Sequence, residues 1–461
     1  MLDPVMKSKL ELQQIAEITR VQVFRPEVDY VALARLIVDD LFDRGKVVIP
    51  ELVKAVIMIG PLARDGTGSF WHYEKGVWIN GGSMEIARRV QWILGTRYAS
   101  RYEKEIVSSL KTKTPLIEGL GSKDYLNVAN GMLNWKTEEL VPHDPKYRST
   151  YQLTMGWNPN ATCPQVDAWI EETFEPEIHK LLWQIIGVVL YPGMGPQKII
   201  LLIGSGGNGK STFLRLCQAC LPLSAYCSVD IQQLVDDKFA RYDLFGKTAN
   251  IVGDMSSLSI KATEKLKQIT GGDKIRGERK YFDGMYFVSE ATQLSAGNKV
   301  PSASDTSYGW RRRILVVPMN RRITGKHDPT LEERLQSELE GVLVKAVRAL
   351  KEVLQNGRFD EPSPDKVTST AYKHVNDSAT LFINEALEFS DSFKTPISNS
   401  NLFDRYESFC KLKKLKQESR TCLFRKIRDM GQPYVQDNKW TKIASGKRER
   451  AFAGVAFRSK E

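Results

Sequence analysis

The chain has 461 residues, of which 42% are hydrophobic and 26% charged, and its formal net charge is +11. This length predicts roughly two to four domains, and the hydrophobic fraction is enough for real cores, with a charged fraction that is ordinary for a soluble protein. Residues 401–461 hold 16 basic and 7 acidic residues, hence nine of the eleven net charges; this indicates either a polyanionic partner such as nucleic acid or only a solvated basic surface.

Membrane and metal-binding classes are disfavoured. The apolar stretch 181–203 is interrupted by polar residues, glycines and prolines, so we expect no membrane span. The first residues lack the apolar core of a signal peptide, and the six cysteines form no regular framework, which indicates a reducing compartment. Cys217 and Cys220 form a C-x-x-C without a second pair at zinc spacing, so we expect buried thiols. We therefore expect a cytoplasmic protein.

Residues 1–123 form the first predicted domain. Its predicted elements are helices at 31–37 and 51–59, a β-hairpin at 70–79 and a helix at 83–94. Trp71 and Trp78 flank the hairpin turn, where side-chain packing is the better explanation than a base-stacking platform.

The second predicted segment covers residues 124–195 and leads into the most informative part of the chain. Its first part, 124–160, contains Asn-Gly and several prolines and predicts short strands and turns. Residues 165–190 predict a long, mostly helical stretch. Residues 196–356 then form the third domain, an α/β unit with a mostly parallel sheet. Its strand candidates are 199–203, 248–252, 286–288, 292–296 and 314–317.

A glycine-rich loop follows the first of these strands. It matches G-x-x-x-x-G-K-[ST] between an apolar strand and a helix, the context of a phosphate-binding loop. Backbone N–H groups of such a loop cradle phosphate, Lys210 reaches the β- and γ-phosphates, and the Ser211 hydroxyl binds Mg²⁺. The predicted nucleotide-binding residues are Gly204, Ser205, Gly206, Gly207, Asn208, Gly209, Lys210, Ser211 and Thr212.

Two later strands end in polar residues. Asp254 follows the apolar run Ile251–Val252 and is expected beside the Mg²⁺ bound at Ser211, while Asn298 is expected to contact the γ-phosphate or orient the attacking water. Both assignments depend on the upstream loop, since a polar residue after a strand is weak evidence alone.

Two basic segments accompany these strands. The segment from Lys267 to Lys280 combines cations with glycines and precedes the aromatic pair at 281–282, as expected of a loop that binds a single nucleic-acid strand; a charged surface turn is the alternative. The predicted DNA-binding residues are Lys267, Lys274, Arg276, Arg279 and Lys280. Three arginines, 311–313, precede the last strand, and one could complete the site of a neighbouring subunit as an arginine finger.

The last part of the chain predicts a separate basic domain. A single amphipathic helix is predicted at 330–354, and a Pro- and Gly-containing linker follows at 357–365. Residues 366–461 then predict helices around 381–389, 400–411 and 422–430 and strand-like segments near 434 and 451–457. Helices followed by a two-stranded wing are the order of a winged-helix DNA-binding domain.

Together these motifs resemble the superfamily 3 helicases, an AAA+ group of viral and plasmid replication ATPases, in particular the poxvirus-type and phage or plasmid primase–helicase proteins. The five motifs that carry the resemblance are Gly204–Ser211 (Walker A), Ile251–Asp254 (Walker B), Lys267–Lys280 (K-x-L-x-x-G-D…K, with one added glycine), Asn298 followed by Pro301 (sensor), and Asp305 with Arg312 and Arg313 before Ile-Leu-Val-Val-Pro. The resemblance implies an AAA+ P-loop ATPase core, an N-terminal α+β or helical collar region and a C-terminal winged helix.

The chain departs from this family in places. The family has two adjacent acids in Walker B, whereas Gly253 and Met255 flank Asp254 here. Either Asp254 serves both roles or Glu290 contributes the second carboxylate. Counting back from Met319 favours Arg313 as the finger, with Arg312 as the second choice. The residues before the helicase region are few for a primase fold and contain no D-x-D with a partner His, so we expect a helicase without primase activity.

The resemblance implies an ATP- and Mg²⁺-dependent replicative DNA helicase that forms a hexameric ring and moves 3′-to-5′ on single-stranded DNA. Expected partners are single-stranded DNA, origin or forked duplex DNA, further copies of the chain and a separate primase, in bacterial cytoplasm if a phage or mobile element encodes it. Three rivals remain: an origin-binding initiator ATPase with little unwinding activity, a small-molecule P-loop kinase, and a DNA-binding protein with an inactive ATPase.

Overall fold

The computed structural model describes most of the chain after residue 40. The residues described are 41–43, 45–255, 260, 262–278, 284–298, 300–301, 303, 305, 307–323, 328–361, 378–390, 392–393, 395–413, 417–431, 434–442 and 447–458. The helix predicted at 31–37 lies outside them.

The N-terminal part is a small α/β unit. Its elements are β1 (Phe42–Asp43), β2 (Lys46–Val47), α1 (Ile49–Met58), β3 (Leu62–Arg64), β4 (Phe70–Glu74), β5 (Val77–Asn80), α2 (Gly82–Leu94) and α3 (Ser100–Lys113). The predicted hairpin is confirmed: β4 pairs antiparallel with β5 through a turn at Lys75 and Gly76, both with positive φ. Trp78 is buried and its ring contacts Tyr73, with centroids 5.5 Å apart, so packing explains this tryptophan.

A three-stranded sheet and two helices follow. They are β6 (Tyr125–Val128), β7 (Gly131–Asn134), β8 (Leu140–Val141), α4 (Pro164–Thr173) and α5 (Pro176–Leu190). The helical stretch predicted at 165–190 is therefore divided. Pro176 causes the break, because the residue before a proline is disfavoured in helical conformation, and Glu175 is extended.

The central unit contains the largest sheet among the described residues. Its elements are β9 (Ile199–Ile203), α6 (Lys210–Ala219), β10 (Tyr226–Cys227), α7 (Ile231–Asp236), α8 (Lys238–Tyr242), β11 (Ala249–Val252), α9 (Thr263–Gly271), β12 (Lys274–Gly277), β13 (Met285–Val288), β14 (Thr292–Gly297), α10 (Tyr308–Arg311), β15 (Ile314–Pro318), α11 (Leu331–Gln336) and α12 (Leu339–Asn356).

Five parallel strands form this sheet in the order β10-β11-β14-β9-β15. Every side chain of β9 is buried: Ile200 and Leu202 belong to one core, and Ile199, Leu201 and Ile203 to another on the opposite face. A continuous apolar run is what a parallel strand covered on both faces requires. The predicted mostly parallel sheet is thus confirmed, except that β13 pairs antiparallel with β12 in a separate hairpin.

The predicted single helix at 330–354 is wrong, because the structure has two helices there, α11 and α12. The chain leaves the helical path at residues 337–338, and the carboxylate of Glu338 accepts hydrogen bonds from the backbone N–H groups of Gln165 and Val166, at 2.9 and 3.1 Å. These N–H groups lie in the first turn of α4, where intrahelical partners are lacking. Glu338 thus stabilises the start of another helix.

The C-terminal part combines helices with a β-hairpin. Its elements are α13 (Ser378–Ala386), β16 (Leu387–Phe389), β17 (Ile397–Ser398), α14 (Asn399–Leu412), α15 (Arg420–Met430), β18 (Gln436–Lys442), β19 (Arg448–Ala453) and β20 (Val455–Phe457). The hairpin β18–β19 is extended by β17 into a three-stranded sheet. Leu402, Tyr406, Leu423, Ile427 and Phe452 form the core between the helices and this sheet.

Helices α5 and α12 cross closely at a glycine, which tests this packing. A Cβ at Gly187 would overlap the carbonyl oxygen of Ala346 and approach the Cβ of Leu350 at 2.9 Å. We predict that Gly187→Ala lowers the free energy of unfolding by about 1–3 kcal/mol, since overpacking outweighs the better helix propensity of alanine. Urea denaturation measures this.

The control is Gly66→Ala, because nothing lies within 4 Å of a Cβ at Gly66. Equal stability of the two variants would contradict the close helix crossing.

Candidate nucleotide-binding site

The loop between β9 and α6 has the shape that its glycines allow. Gly206 and Gly207 have φ of 103° and 62°, which side chains strongly disfavour. Gly204 is buried, and a Cβ there would overlap the carbonyl oxygen of Met319. The loop therefore lies directly against the segment that follows β15, with its tip exposed.

The amino end of α6 is open to an anion. Gly209 is the N-cap residue of this helix and, because it has no side chain, it provides no side-chain hydrogen bond to the first turn. The unpaired N–H groups of a first helical turn and the positive end of the helix dipole favour a phosphate there. Ser211 is exposed and Thr212 is half-buried beside it.

Lys210 is the cation of this loop. Its Nζ donates to the carbonyl oxygen of Gly204 at 2.8 Å, so the side chain folds back along the loop. Burial lowers the pKa of the Lys210 ammonium, and the carboxylate of Asp254 opposes that shift. Lys210 and Asp254 also line the same cavity.

Asn208 joins the loop to the segment after β15. Its Nδ2 donates to the carbonyl oxygen of Arg321 at 2.9 Å, while its buried Oδ1 has no hydrogen-bond partner among the described residues. The backbone N–H of Ile323 donates to the carbonyl oxygen of Gly207 at 2.9 Å. The loop is thus held in shape by residues 319–323.

Strands β11 and β14 place Asp254 and Asn298 beside this loop. The sheet register pairs Val252 with Ser295 and Gly297 with Ile203, so both strands end at the edge where the loop begins. The backbone N–H of Met255 donates to the carbonyl oxygen of Ala296 at 2.8 Å, which fixes the chain directly after Asp254. Both predicted side chains lie at the carboxyl edge of the sheet and are exposed there.

A buried amide pair that sequence reasoning missed holds these two strands. Asn250 on β11 donates from Nδ2 to the Oε1 of Gln293 on β14 and to the carbonyl oxygen of Val229, both at 2.9 Å. Its Oδ1 accepts from the N–H of Val229 at 2.8 Å. Satisfied buried amides fix strand register strongly. Polar residues inside otherwise apolar strands were the available signal.

One cavity of about 670 Å³ contains most of the predicted nucleotide-binding residues. This volume is typical of small-molecule sites. The residues that line it are Gly206, Gly207, Asn208, Gly209, Lys210, Ser211, Thr212, Arg215, Gly253, Asp254, Gly297, Asn298, Ile323, Asp328, Pro329, Leu331 and Glu332. A serine hydroxyl and a carboxylate are oxygen ligands suited to Mg²⁺, so Ser211 and Asp254 fit the predicted metal.

Glu290 lies at the wrong end of β14 to serve as the second carboxylate. It precedes β14, whereas Asn298 follows it, and six extended residues separate their positions by about 20 Å. Its carboxylate accepts from Lys123 and from the backbone N–H of Leu120 at 3.1 Å. The suggestion that Glu290 contributes to water activation is therefore wrong.

Arg312 and Arg313 lie at the opposite edge of the sheet from the phosphate loop. Ile314 pairs with Ile199 at the start of β9, and the five residues of β9 span about 17 Å. Arg313 donates from Nε to Thr270 at 3.1 Å and from Nη1 to the carbonyl oxygen of Gly309 at 2.6 Å. Burial, and then Arg312, lowers the pKa of Arg313. Neither arginine is placed to reach its own chain's loop.

Arg312 is the more available of the two arginines. It is exposed, and its Nη2 donates to Oε1 of Gln197 at 2.9 Å. Arg313 is half-buried. Arg312 is therefore better placed than Arg313 to contact a group outside the chain.

Lys267 has an intramolecular partner. It forms an ion pair with Asp305, and its Nζ lies 3.3 Å from the hydroxyl of Ser307. Burial alone would raise the pKa of Asp305, but hydrogen bonds from Lys267, Thr263 and Ser307 hold it well below its usual range. Lys267 is therefore half-buried and paired within the chain, whereas Lys274 and Arg276, which were also predicted to bind DNA, are exposed.

The hairpin β12–β13 presents Lys274 and Arg276 on one exposed face. Register places Arg276 opposite Tyr286, whose side chain is 65% exposed, whereas the alternate residue Phe287 is buried. Arg276 also pairs with Glu278 at 2.8 Å. Arg279 and Lys280 lie outside the described residues. Sequence reasoning missed Tyr286, although the alternation in residues 285–288 was a usable signal.

The cysteine expectation is confirmed. Cys217 and Cys220 are fully buried, and burial raises the pKa of the Cys220 thiol to about 12. Neutral buried thiols act as small apolar side chains.

Among the described residues, no helix is both long enough and apolar enough to cross a bilayer.

Two family models match parts of the chain. Residues 67–175 match the family described as D5 N terminal like, and residues 202–313 match a family of unknown function, DUF5906. The first match supports the primase–helicase resemblance over the region that precedes the phosphate loop. The second covers the span from β9 to the arginines.

Among solved structures, the chain is similar to the A form apo structure of the NrS-1 C terminal region, with 13% identity and a TM-score of 0.47, over 87% of this chain and 98% of that one. A second apo structure of the NrS-1 C terminal region (305-718) matches with 12% identity and a TM-score of 0.46, over the same shares of both chains.

Proposed function

We propose that the chain is an ATP-dependent replicative DNA helicase that acts as a ring of identical subunits. The observation that carries this proposal is the common position of the phosphate loop, Asp254 and Asn298 around one cavity, with Arg312 and Arg313 at the far edge of the same sheet. A complete site then needs two copies of the chain.

The residues divide the work of phosphoryl transfer to water. Lys210 and the N–H groups of the loop neutralise the β- and γ-phosphates. Ser211 and Asp254 would hold Mg²⁺, which when bound would supply positive charge beside the phosphates. Asn298 contacts the γ-phosphate or orients water. Asp328 and Glu332 also line the cavity but are paired with Arg334 and Arg215. We therefore assign both roles, metal ligand and the group that polarises water, to Asp254.

The sheet order supports the AAA+ assignment. β14 lies between β9 and β11 and thereby places Asn298 between the phosphate loop and Asp254. The order of helices and hairpin in the C-terminal part supports the winged-helix assignment. The resemblance adds a hexameric ring, 3′-to-5′ movement, a cytoplasmic location and a primase on a separate chain as parts of the proposal.

Arg312 is the better candidate for the trans arginine finger. A finger must leave its own subunit's surface and enter the neighbouring site. Arg312 is exposed, whereas Arg313 is bound to Thr270 and Gly309 of its own chain. Arg313 then positions the turn that carries Arg312.

The exposed face of the β12–β13 hairpin is the proposed single-strand contact. Lys274 and Arg276 would bind phosphates, and Tyr286 would stack on a base, since aromatic stacking is tolerant of sequence. Nucleotide-dependent movement between subunits would carry this face along the strand. Lys267, paired with Asp305, instead holds α9 in place.

An origin-binding initiator ATPase is the alternative, and the C-terminal hairpin favours it. Trp440 is 59% exposed and lies opposite Arg450 in the register. An arginine beside an exposed aromatic ring suits contact with a nucleic-acid backbone. A duplex contact there suits either function, and sequence-selective duplex binding without unwinding would favour the initiator. A small-molecule kinase is disfavoured by Lys274 and Arg276 on the β12–β13 hairpin, because a kinase needs no contact with DNA.

Removal of the loop lysine tests the nucleotide site. We predict that Lys210→Ala lowers the ATP hydrolysis rate by about 100-fold or more, because the transferred phosphate loses its cation. Circular dichroism should show an unchanged fold. The control Lys104→Ala removes an exposed lysine on α3 and should keep full activity; an active Lys210→Ala variant would overturn the loop assignment.

Mixing two inactive variants tests the trans arginine. Asp254→Asn lacks a working site but supplies the finger, and Arg312→Ala has the site but no finger. We predict that each hydrolyses ATP poorly alone and that a one-to-one mixture recovers activity at about a quarter of its interfaces, as random assembly of a ring with sites between subunits requires.

The same mixture made with Arg313→Ala distinguishes the two arginines. Recovery with Arg313→Ala and not with Arg312→Ala would assign the finger to Arg313. No recovery in either mixture would contradict a shared site.

Truncation of Tyr286 tests the single-strand contact. We predict that Tyr286→Ala weakens binding to single-stranded DNA by about 1–3 kcal/mol, roughly 5- to 150-fold in Kd, through loss of stacking. Fluorescence anisotropy with a labelled oligonucleotide measures this. Tyr286→Phe retains the ring and should bind normally, whereas equal weakening in both variants would assign the effect to the hydroxyl or the fold.

A further inference from the structure

Helix α9 contacts two parts of the chain to which the proposed function gives separate tasks. Only residues 272 and 273 separate the end of α9 at Gly271 from the start of β12 at Lys274, which belongs to the proposed single-strand contact. Side chains of α9 also contact residues 307–313, called here the arginine turn because it carries Arg312. The proposed function leaves this second set of contacts unexplained.

Lys267 of α9 binds the start of the arginine turn. It forms an ion pair with Asp305, and its Nζ lies 3.3 Å from the hydroxyl of Ser307. Asp305 accepts from the backbone N–H of Ser307 at 2.9 Å and from the hydroxyl of Thr263, also on α9, at 2.6 Å. Ser307 is the N-cap residue of α10, and its hydroxyl accepts from the N–H of Trp310. Two side chains of α9 therefore hold the residues from which α10 starts.

Thr270 of α9 binds the end of the same turn. Its hydroxyl accepts from Nε of Arg313 at 3.1 Å and donates to the carbonyl oxygen of Leu266 at 2.8 Å. Trp310, between the two ends of the turn, is 6% exposed and belongs to the same core as Leu266 and Ile269 of α9. The arginine turn is thus attached to α9 at both ends and through the buried indole between them.

The opposite side of the arginine turn is exposed. The backbone N–H of Arg312 donates to the carbonyl oxygen of Tyr308 at 3.0 Å, as in an α-helix, so the two side chains share one face. Tyr308 is 81% exposed. Nη2 of Arg312 donates to Gln197, whose Nε2 lies 3.4 Å from the carbonyl oxygen of Gly271 at the end of α9. The direction in which Arg312 leaves the chain is therefore set by contacts with α9.

We propose that Lys267 and Thr270 are positioning residues that hold the arginine turn so that Arg312 enters the site of a neighbouring subunit. This proposal rests on the proposed function, because it assumes a site shared between two copies. Catalysis is sensitive to placement, since a misplacement of about 1 Å can cost about 100-fold in rate. The arginines lie at the edge of the sheet away from their own phosphate loop. Loss of either contact should therefore impair hydrolysis in the neighbour and spare it in the same chain.

The test adds Lys267→Ala to one member at a time of the mixture described above. In the first mixture the finger donor carries Asp254→Asn and Lys267→Ala, and Arg312→Ala supplies the site. In the second, the site provider carries Arg312→Ala and Lys267→Ala, and Asp254→Asn is the donor. We expect the first mixture to hydrolyse ATP roughly tenfold or more slowly than the parent mixture, and the second to match it.

Two further substitutions in the donor test the contacts themselves. Thr270→Val removes the hydroxyl that accepts from Arg313 at little change in volume, and should reproduce the asymmetry between the two mixtures. Lys267→Arg retains a cation for Asp305 and should restore most of the activity lost with alanine. The matched control is Lys265→Ala, because Lys265 is an exposed lysine of the same helix; it should leave both mixtures unchanged.

The outcomes separate this role from the shared site. Equal activity of the two mixtures that contain Lys267→Ala, whether both match the parent or both fall, would overturn the positioning role. If both fall and Lys267→Ala also weakens binding of a labelled single-stranded oligonucleotide, Lys267 is a strand contact, as its sequence context predicts. Failure of the parent mixture to recover activity would instead contradict the shared site itself.

Discussion

The parallel register of β11, β14 and β9 is the constraint on which the rest of the structure depends. It brings the ends of three strands to one edge, and the phosphate loop, Asp254 and Asn298 lie there because the chain leaves each strand at that edge. The same register places the arginines before β15 at the other edge. A shift of one residue would turn buried side chains of β9 toward the wrong face.

The register is supported from both faces and from within. Two apolar cores cover the two faces of β9, and the Asn250–Gln293 amide pair joins β11 to β14 where a slip would leave buried polar groups unpaired. Outside the sheet, the segment after β15 supports the loop through Asn208 and Ile323. The loop is therefore held by contacts within the chain, while the function proposed for the hairpin and for Arg312 requires contacts beyond one chain.

The local parts of the fold could be predicted from sequence, because apolar runs define strands and the glycine loop carries its own geometry. What could not be predicted depends on distant contacts. Glu338 interrupts a helix because it binds the start of another, and Lys267 pairs with Asp305 rather than remaining free. Glu290 precedes β14, and the bounds of that strand alone were enough to place it at the end away from Asn298. The alternation in residues 285–288 was a usable signal for the exposure of Tyr286, but its position opposite Arg276 needed the pairing of β12 with β13.

The central claim is that hydrolysis needs both a second copy of the chain and a nucleic-acid strand. The most direct test is the rate of ATP hydrolysis per chain, measured against protein concentration with and without single-stranded DNA. We predict a rate that rises with concentration, as a site completed by Arg312 of a neighbouring copy would require, and that rises further with single-stranded DNA. A rate that is constant in both variables would contradict this account and indicate a self-contained site without coupling to DNA.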